Sequence, residues 1–108
     1  ALGSASKNAR PILKKTGILH YFDAIVDGND VSNAKPDPEV FLQAARLLNA
    51  VNENSIVFED SVAGIQAANT AKMISIGIGD AAILHEAQYN FIDFTYIDFA
   101  FIDALINQ

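Results

Sequence analysis

Ser55-Ile56-Val57-Phe58-Glu59-Asp60-Ser61 runs directly into Val62-Ala63-Gly64-Ile65-Gln66-Ala67-Ala68. The first stretch opens as a short apolar run, which fits a buried strand. The second has the small and apolar residues of a helix. Two carboxylates and a serine therefore fall where a strand meets a helix. That places them at the carboxyl edge of a sheet, where open α/β folds bind their ligands. Hard cations such as Mg²⁺ take oxygen ligands, commonly one or two protein carboxylates completed by water and phosphate oxygens. Glu59 and Asp60 read as such a metal site. The plainer reading is that Asp60 only caps the helix, a job Ser61 does equally well.

Two more junctions have the same character. Ala1-Leu2-Gly3 looks like the tail of a strand, and Ser4-Ala5-Ser6-Lys7-Asn8 follows it. A helix then carries Ile12 and Leu13 on its buried face and ends near Gly17. Free N–H groups at a helix start favour anions, and Ser4, Ser6 and Lys7 add donors and positive charge. A serine N-cap beside one solvated lysine explains the same residues. Farther on, Ala24-Ile25-Val26 reads as a short strand before Asp27-Gly28. In Ala34-Lys35-Pro36-Asp37-Pro38, Pro36 favours an extended Lys35. Asp37 suits an N-cap and Pro38 the first helical position. Val40, Phe41, Ala44, Leu47 and Leu48 then share one apolar face. Capping does not account for Lys35, whose ammonium could reach a phosphate and metal region, although most lysines are simply solvated.

The chain has 108 residues, 51% of them hydrophobic, and a net charge of −6. This is enough for one small domain with its own core. The acidic balance argues against a nucleic-acid surface. With no cysteine there is neither a disulfide framework nor a Cys-based zinc pattern, which suits a reducing, cytoplasmic setting. No apolar run approaches the about 20 residues of a membrane span. The chain opens without an initiator Met on what reads as the end of a strand, so an N-terminal part of a larger protein is expected to be absent.

The remaining features read as scaffold. His20, between Leu19 and Tyr21, fits partly buried packing in a connector, and His85 falls in an expected helix. Met73 to Ile78 reads as a buried strand. Gly77-Ile78-Gly79-Asp80-Ala81-Ala82 matches a loose dinucleotide-binding pattern, but not after the first strand of a domain, so the glycines read as turn residues. The aromatic tail from Phe91 to Phe99 reads as core and edge packing, with Ile97, Phe101, Ile102 and Leu105 on one helical face. Ser61 lacks the glycine two residues before it that a nucleophile elbow needs. Alternating strands and helices predict a parallel α/β sheet with helices on both faces.

Gly3-Ser4-Ala5-Ser6-Lys7-Asn8-Ala9, Tyr21-Phe22-Asp23-Ala24-Ile25, Lys35-Pro36-Asp37-Pro38-Glu39-Val40-Phe41 and Phe58-Glu59-Asp60-Ser61-Val62-Ala63-Gly64-Ile65-Gln66-Ala67-Ala68, with Ile76-Gly77-Ile78-Gly79-Asp80, resemble the later motifs of the haloacid dehalogenase superfamily of phosphotransferases. Within it they resemble the β-phosphoglucomutase branch, and the Ser-Ala-Ser-Lys-Asn run is the part most specific to that branch. The resemblance covers nearly the whole chain. It implies a partial Rossmann-like core, with residues 1–108 as the C-terminal portion of a core domain.

The resemblance also implies roles. Ser4 binds the transferring phosphoryl group, and Lys35 pairs with its oxygens and with an aspartate nucleophile; these two are the catalytic positions. Ala5, Ser6, Lys7 and Asn8 line the phosphate site, the last three also available to a second phosphate of the sugar. Glu59 and Asp60 hold Mg²⁺. The implied reaction converts β-glucose 1-phosphate to glucose 6-phosphate through glucose 1,6-bisphosphate. The family's first motif, an Asp-x-Asp-Gly run with the nucleophile, is missing, as is the helical cap domain. The expected partners are a sugar phosphate, an N-terminal half carrying that motif, or a second copy meeting an exposed sheet edge. Three functions stay open: a mutase, a sugar-phosphate phosphatase, and a non-catalytic piece that binds anions without turnover.

Overall fold

The computed structural model describes residues 1–107. Among them are five strands: β1 (Leu2–Gly3), β2 (Ile25–Val26), β3 (Ile56–Glu59), β4 (Ile74–Ile78) and β5 (Tyr89–Phe91). Four α-helices alternate with them: α1 (Ala9–Thr16), α2 (Glu39–Leu47), α3 (Val62–Thr70) and α4 (Phe99–Ile106). All pairings are parallel, as expected. The strands form two sheets, β1–β2 and β3–β4–β5, with Leu2 opposite Ile25 and Val57 opposite Ser75.

Successive strand residues face opposite sides, and β3 shows both. Val57 packs into a core with Val40, Phe41, Ala44 and Ala45 of α2 and with Ala67 and Ala68 of α3. Ile56 and Phe58 face the other way. Ile56 lines a cavity with Leu105 of α4, and Phe58 meets Phe94 with ring centroids 5.6 Å apart. Phe101 of α4 also packs edge-on against Tyr89 and Phe91. Helices thus cover both faces of the three-stranded sheet. Ile65 and Ile76 are fully buried, and each contributes about 1.5–3 kcal/mol of apolar transfer.

Several local expectations are corrected. Leu13 is buried but Ile12 is 55% exposed, because an eight-residue helix touching its neighbours on a narrow stripe covers only one of two adjacent side chains. Leu47, the last residue of α2, and Leu48, its C-cap, are likewise exposed. Asn8, not a serine, occupies the N-cap of α1, without a side-chain cap bond, while Gly17 closes the helix in the left-handed region at φ 76°. Pro38 is the N-cap of α2, and Asp37 Oδ1 instead accepts from the Glu39 N–H at 2.9 Å. His20 is exposed, with its ring 4.3 Å from that of Tyr21, and His85 lies exposed in a turn rather than a helix. Gly79 is the turn glycine, at φ 140°, whereas Gly77 sits inside β4. A Cβ at Gly77 would come 2.5 Å from Asn90 Oδ1. The tail is largely exposed at Ile92, Phe94, Tyr96 and Phe99.

Candidate functional site

β1 and β3, in different sheets, both end at one cavity. A cavity of ≈ 450 Å³ opens at their carboxyl ends, walled by Ser4, Ala5, Lys35, Glu59 and Asp60 together with Phe58 and Phe94. Five of the eight sequence-predicted site residues therefore converge, although they come from three separate strand-to-helix connections. Lys35 reaches the cavity from the segment before α2, where the Lys35–Pro36 peptide is cis.

The centre of the site is an ion pair. Lys35 Nζ donates to Glu59 Oε2 at 2.8 Å, and the two side chains are only 16% and 10% exposed. The ammonium also points at the Gly3 carbonyl at 3.4 Å and lies 5.0 Å from the Phe41 ring centroid. An ammonium has three donors, so one remains for a ligand oxygen. The other carboxylate oxygen, Glu59 Oε1, accepts from the Asp60 N–H at 3.0 Å, the Ser61 N–H at 3.3 Å and the Ser61 hydroxyl at 3.2 Å. Burial alone would push this carboxyl up. The hydrogen bond and charge of Lys35, with the Asp60 N–H, outweigh it and hold Glu59 below the usual carboxylate range.

Gly64 makes this arrangement possible. A Cβ there would overlap the Glu59 carboxyl group at well under 3.0 Å, so the carboxylate folds back over the first turn of α3 only because residue 64 has no side chain. Ser61 caps that turn by accepting from the Gly64 N–H at 3.0 Å. Asp60, one residue from Glu59, is exposed at the rim. The question left open at Asp60 thus resolves in favour of Ser61 as the cap.

Ser6, Lys7 and Asn8 do not line the cavity; they are exposed beyond it. Their loop is closed on itself. Ser4 Oγ accepts from the Ser6 N–H and Ser6 Oγ from the Asn8 N–H, both at 3.1 Å. Residues that sequence reasoning passed over hold this loop from outside. The Gly28 N–H donates to the Ser6 carbonyl at 3.2 Å, and Asn29 Nδ2 donates to the Lys7 carbonyl at 3.2 Å. Arg10 ties the first turn of α1 to the end of β2 through Asp27 at 2.5 Å, Asp30 at 3.0 Å and the Ile25 carbonyl at 2.8 Å. Asp27 is 1% exposed. In sequence, Asp27-Gly28 reads only as the end of a short strand, and its contact with a loop some twenty residues away has no local signal.

The donor set suits a hard cation in part. Among the described residues no three His, Asp or Glu side chains gather. Two adjacent carboxylates remain, one braced and one exposed, which is the protein share Mg²⁺ commonly takes when waters and phosphate supply the rest.

Residues 3–78 match the haloacid dehalogenase-like hydrolase family, and the chain belongs to that family. It is 41% identical over 78 residues to the β-phosphoglucomutase of Bacillus subtilis, covering 72% of this chain and 34% of that protein. It is also 41% identical over 71 residues to a phosphorylated carbohydrates phosphatase of Thermotoga maritima, covering 66% of this chain and 33% of that one. A crystal structure of β-phosphoglucomutase from Clostridium difficile superimposes with a TM-score of 0.87 at 39% identity, over 94% of this chain and 46% of that one. The chain spans about a third of the length of the curated relatives named here. No described helix is long and apolar enough to cross a membrane.

Proposed function

We propose that this chain supplies the phosphate- and Mg²⁺-binding part of a phosphoryl-transfer site for a small sugar phosphate, of the β-phosphoglucomutase kind, in a cytoplasmic protein. The carrying observation is that Lys35, held by Glu59, shares one cavity with Ser4 and Asp60. Phosphoryl transfer demands positioning and charge stabilisation more than covalent help from the protein. Ser4 and the free donor of Lys35 bind the phosphoryl oxygens. Glu59 holds the Lys35 ammonium in place and aims it. Asp60, with Glu59 behind it, would hold Mg²⁺, which when bound neutralises phosphate charge. Ser6, Lys7 and Asn8, outside the cavity, suit a second phosphate on the sugar's far end.

None of Ser4, Lys35, Glu59 or Asp60 is an attacking carboxylate in this reading, so the chain alone is expected to give no turnover. The phosphatase reading is supported by relatives such as the Thermotoga maritima phosphatase. The test uses a whole protein carrying this chain, with β-glucose 1-phosphate and a bisphosphate primer. Isomerised sugar without free phosphate supports the mutase; free phosphate supports the phosphatase. Lys35→Ala should slow transfer by about two orders of magnitude or more while leaving the fold intact, and Asp60→Asn should weaken the Mg²⁺ response. Unchanged turnover in both would refute the site.

A further inference from the structure

The Lys35 ammonium has three close neighbours, and only two are oxygens. Glu59 Oε2 accepts from it at 2.8 Å. The Gly3 carbonyl stands at 3.4 Å, long for a hydrogen bond. The third neighbour is the ring of Phe41 in α2. Lys35 Nζ lies over it, 5.0 Å from the centroid, inside the about 6 Å reach of a cation–π contact. Phe41 is 8% exposed and part of the core. Its ring comes this close to the site because β1 presents no side chain at residue 3. A Cβ on Gly3 would stand 3.1 Å from Val40 Cγ2 and 3.3 Å from Phe41 Cε1, nearer than the about 3.5–4.0 Å at which carbon atoms rest. Gly3 thus offers Lys35 its carbonyl and leaves room for the ring.

We propose that Phe41 is a positioning residue, whose ring face fixes the Lys35 ammonium for a phosphate oxygen. A lysine ends in a compact charge on a flexible four-carbon stem. Glu59 sets how far that charge lies from one carboxylate oxygen, but an ammonium swings about a single strong acceptor. The negative face of an aromatic ring attracts a cation from a second direction. Water weakens such attraction, and here only 16% of the Lys35 side chain is exposed. The ring has a further advantage over another carboxylate. It holds the cation without adding a formal negative charge that would repel phosphate. A leucine would fill the same part of the core and give no such attraction, so the aromatic character of Phe41 is what the site uses. The inference deepens the proposed function and rests on it, since it assigns a support to Lys35 in that same site.

The test is NMR of the chain with inorganic phosphate as the probe, on the unaltered protein, Phe41→Leu and Phe41→Tyr. In the unaltered chain the Lys35 ε-methylene protons should resonate upfield of those of the exposed Lys14 and Lys15, because the Phe41 ring current reaches them. Phe41→Leu should erase that displacement and weaken phosphate binding by about fivefold, the factor a cation–π contact with little water around it is worth. Phe41→Tyr keeps the ring and should keep both. Urea unfolding reads the packing loss separately. An undisplaced Lys35 signal in the unaltered chain, unchanged phosphate affinity in Phe41→Leu, or an equal loss in Phe41→Leu and Phe41→Tyr would overturn the proposal. Should either variant fail to fold, the Lys35 signal of the unaltered chain decides. Absence of any phosphate response in the unaltered chain overturns the functional reading, and the Lys35 signal then still decides whether the ring holds the ammonium.

Discussion

Two strand-to-helix junctions face each other across the site and are built in opposite ways. At Glu59–Gly64 the polar groups satisfy one another within six residues: Glu59 takes the Asp60 and Ser61 donors, and Ser61 caps Gly64. At Ser4–Asn8 the serines serve their own loop, and its position depends on Gly28 and Asn29 from the end of β2. The first junction is locally self-sufficient and holds the Glu59 side of the ion pair in place. The second is placed by its neighbour. A perturbation near β2 should therefore disturb Ser4 while sparing Lys35 and Glu59, and one in α3 should do the reverse.

Gly28→Ala should have the largest effect on stability. Its Cβ would collide with the Ala5 carbonyl, and backbone on both sides leaves little room to yield. A loss of about 1–3 kcal/mol, read by urea unfolding, should accompany displaced Ser4–Asn8 amide signals with the Glu59–Gly64 signals unmoved. Movement of both sets would show that the junctions are coupled.

Gly64→Ala should cost less stability and more site integrity. The added methyl gains about 1 kcal/mol of helix propensity, but it evicts a flexible side chain, Glu59, from its place beside Lys35. Phosphate affinity should fall while the unfolding midpoint changes little. A variant with undisturbed phosphate binding would show that Lys35 does not need Glu59.

Ser61→Ala removes the cap of α3 and one donor to Glu59 Oε1, and should cost about 1 kcal/mol with the Ser4 loop unaffected. The smallest effect is on pH. Glu59's carboxyl in the folded chain lies below its ordinary value of 4.5. A lowered carboxyl contributes stability that is complete above 4.5 and is lost as pH falls through the folded value. In metal-free solution Glu59→Gln should flatten the acid limb of stability below 4.5 relative to the unaltered chain. Identical acid limbs would remove the ion pair from the account.

How much was legible follows from the same contrast. Glu59, Asp60 and Ser61 lie at the end of an apolar run, and their bonds are local, so their placement at a sheet edge follows from strand length and helix capping alone. The parallel α/β class follows from the alternation of apolar runs with helical stretches. Lys35 stands out in sequence only as a lysine that capping does not explain, since its partner Glu59 is 24 residues away. Ser6, Lys7 and Asn8 matched a phosphate motif, yet loop closure against Gly28 carries them outside the cavity. Exposure departs from the periodicity where apolar residues cluster, as at Ile12, Leu48 and the tail. Periodicity marks the faces able to be buried, whereas burial itself requires a neighbouring element. The split of the sheet was likewise invisible, because a strand's residues define which face is apolar but not whether both its edges find a partner. Local sequence determined the strands, helix ends and carboxylate turn; tertiary structure decided the Lys35–Glu59 pair and the brace on the Ser4 loop, since each depends on groups far apart in the chain meeting in space.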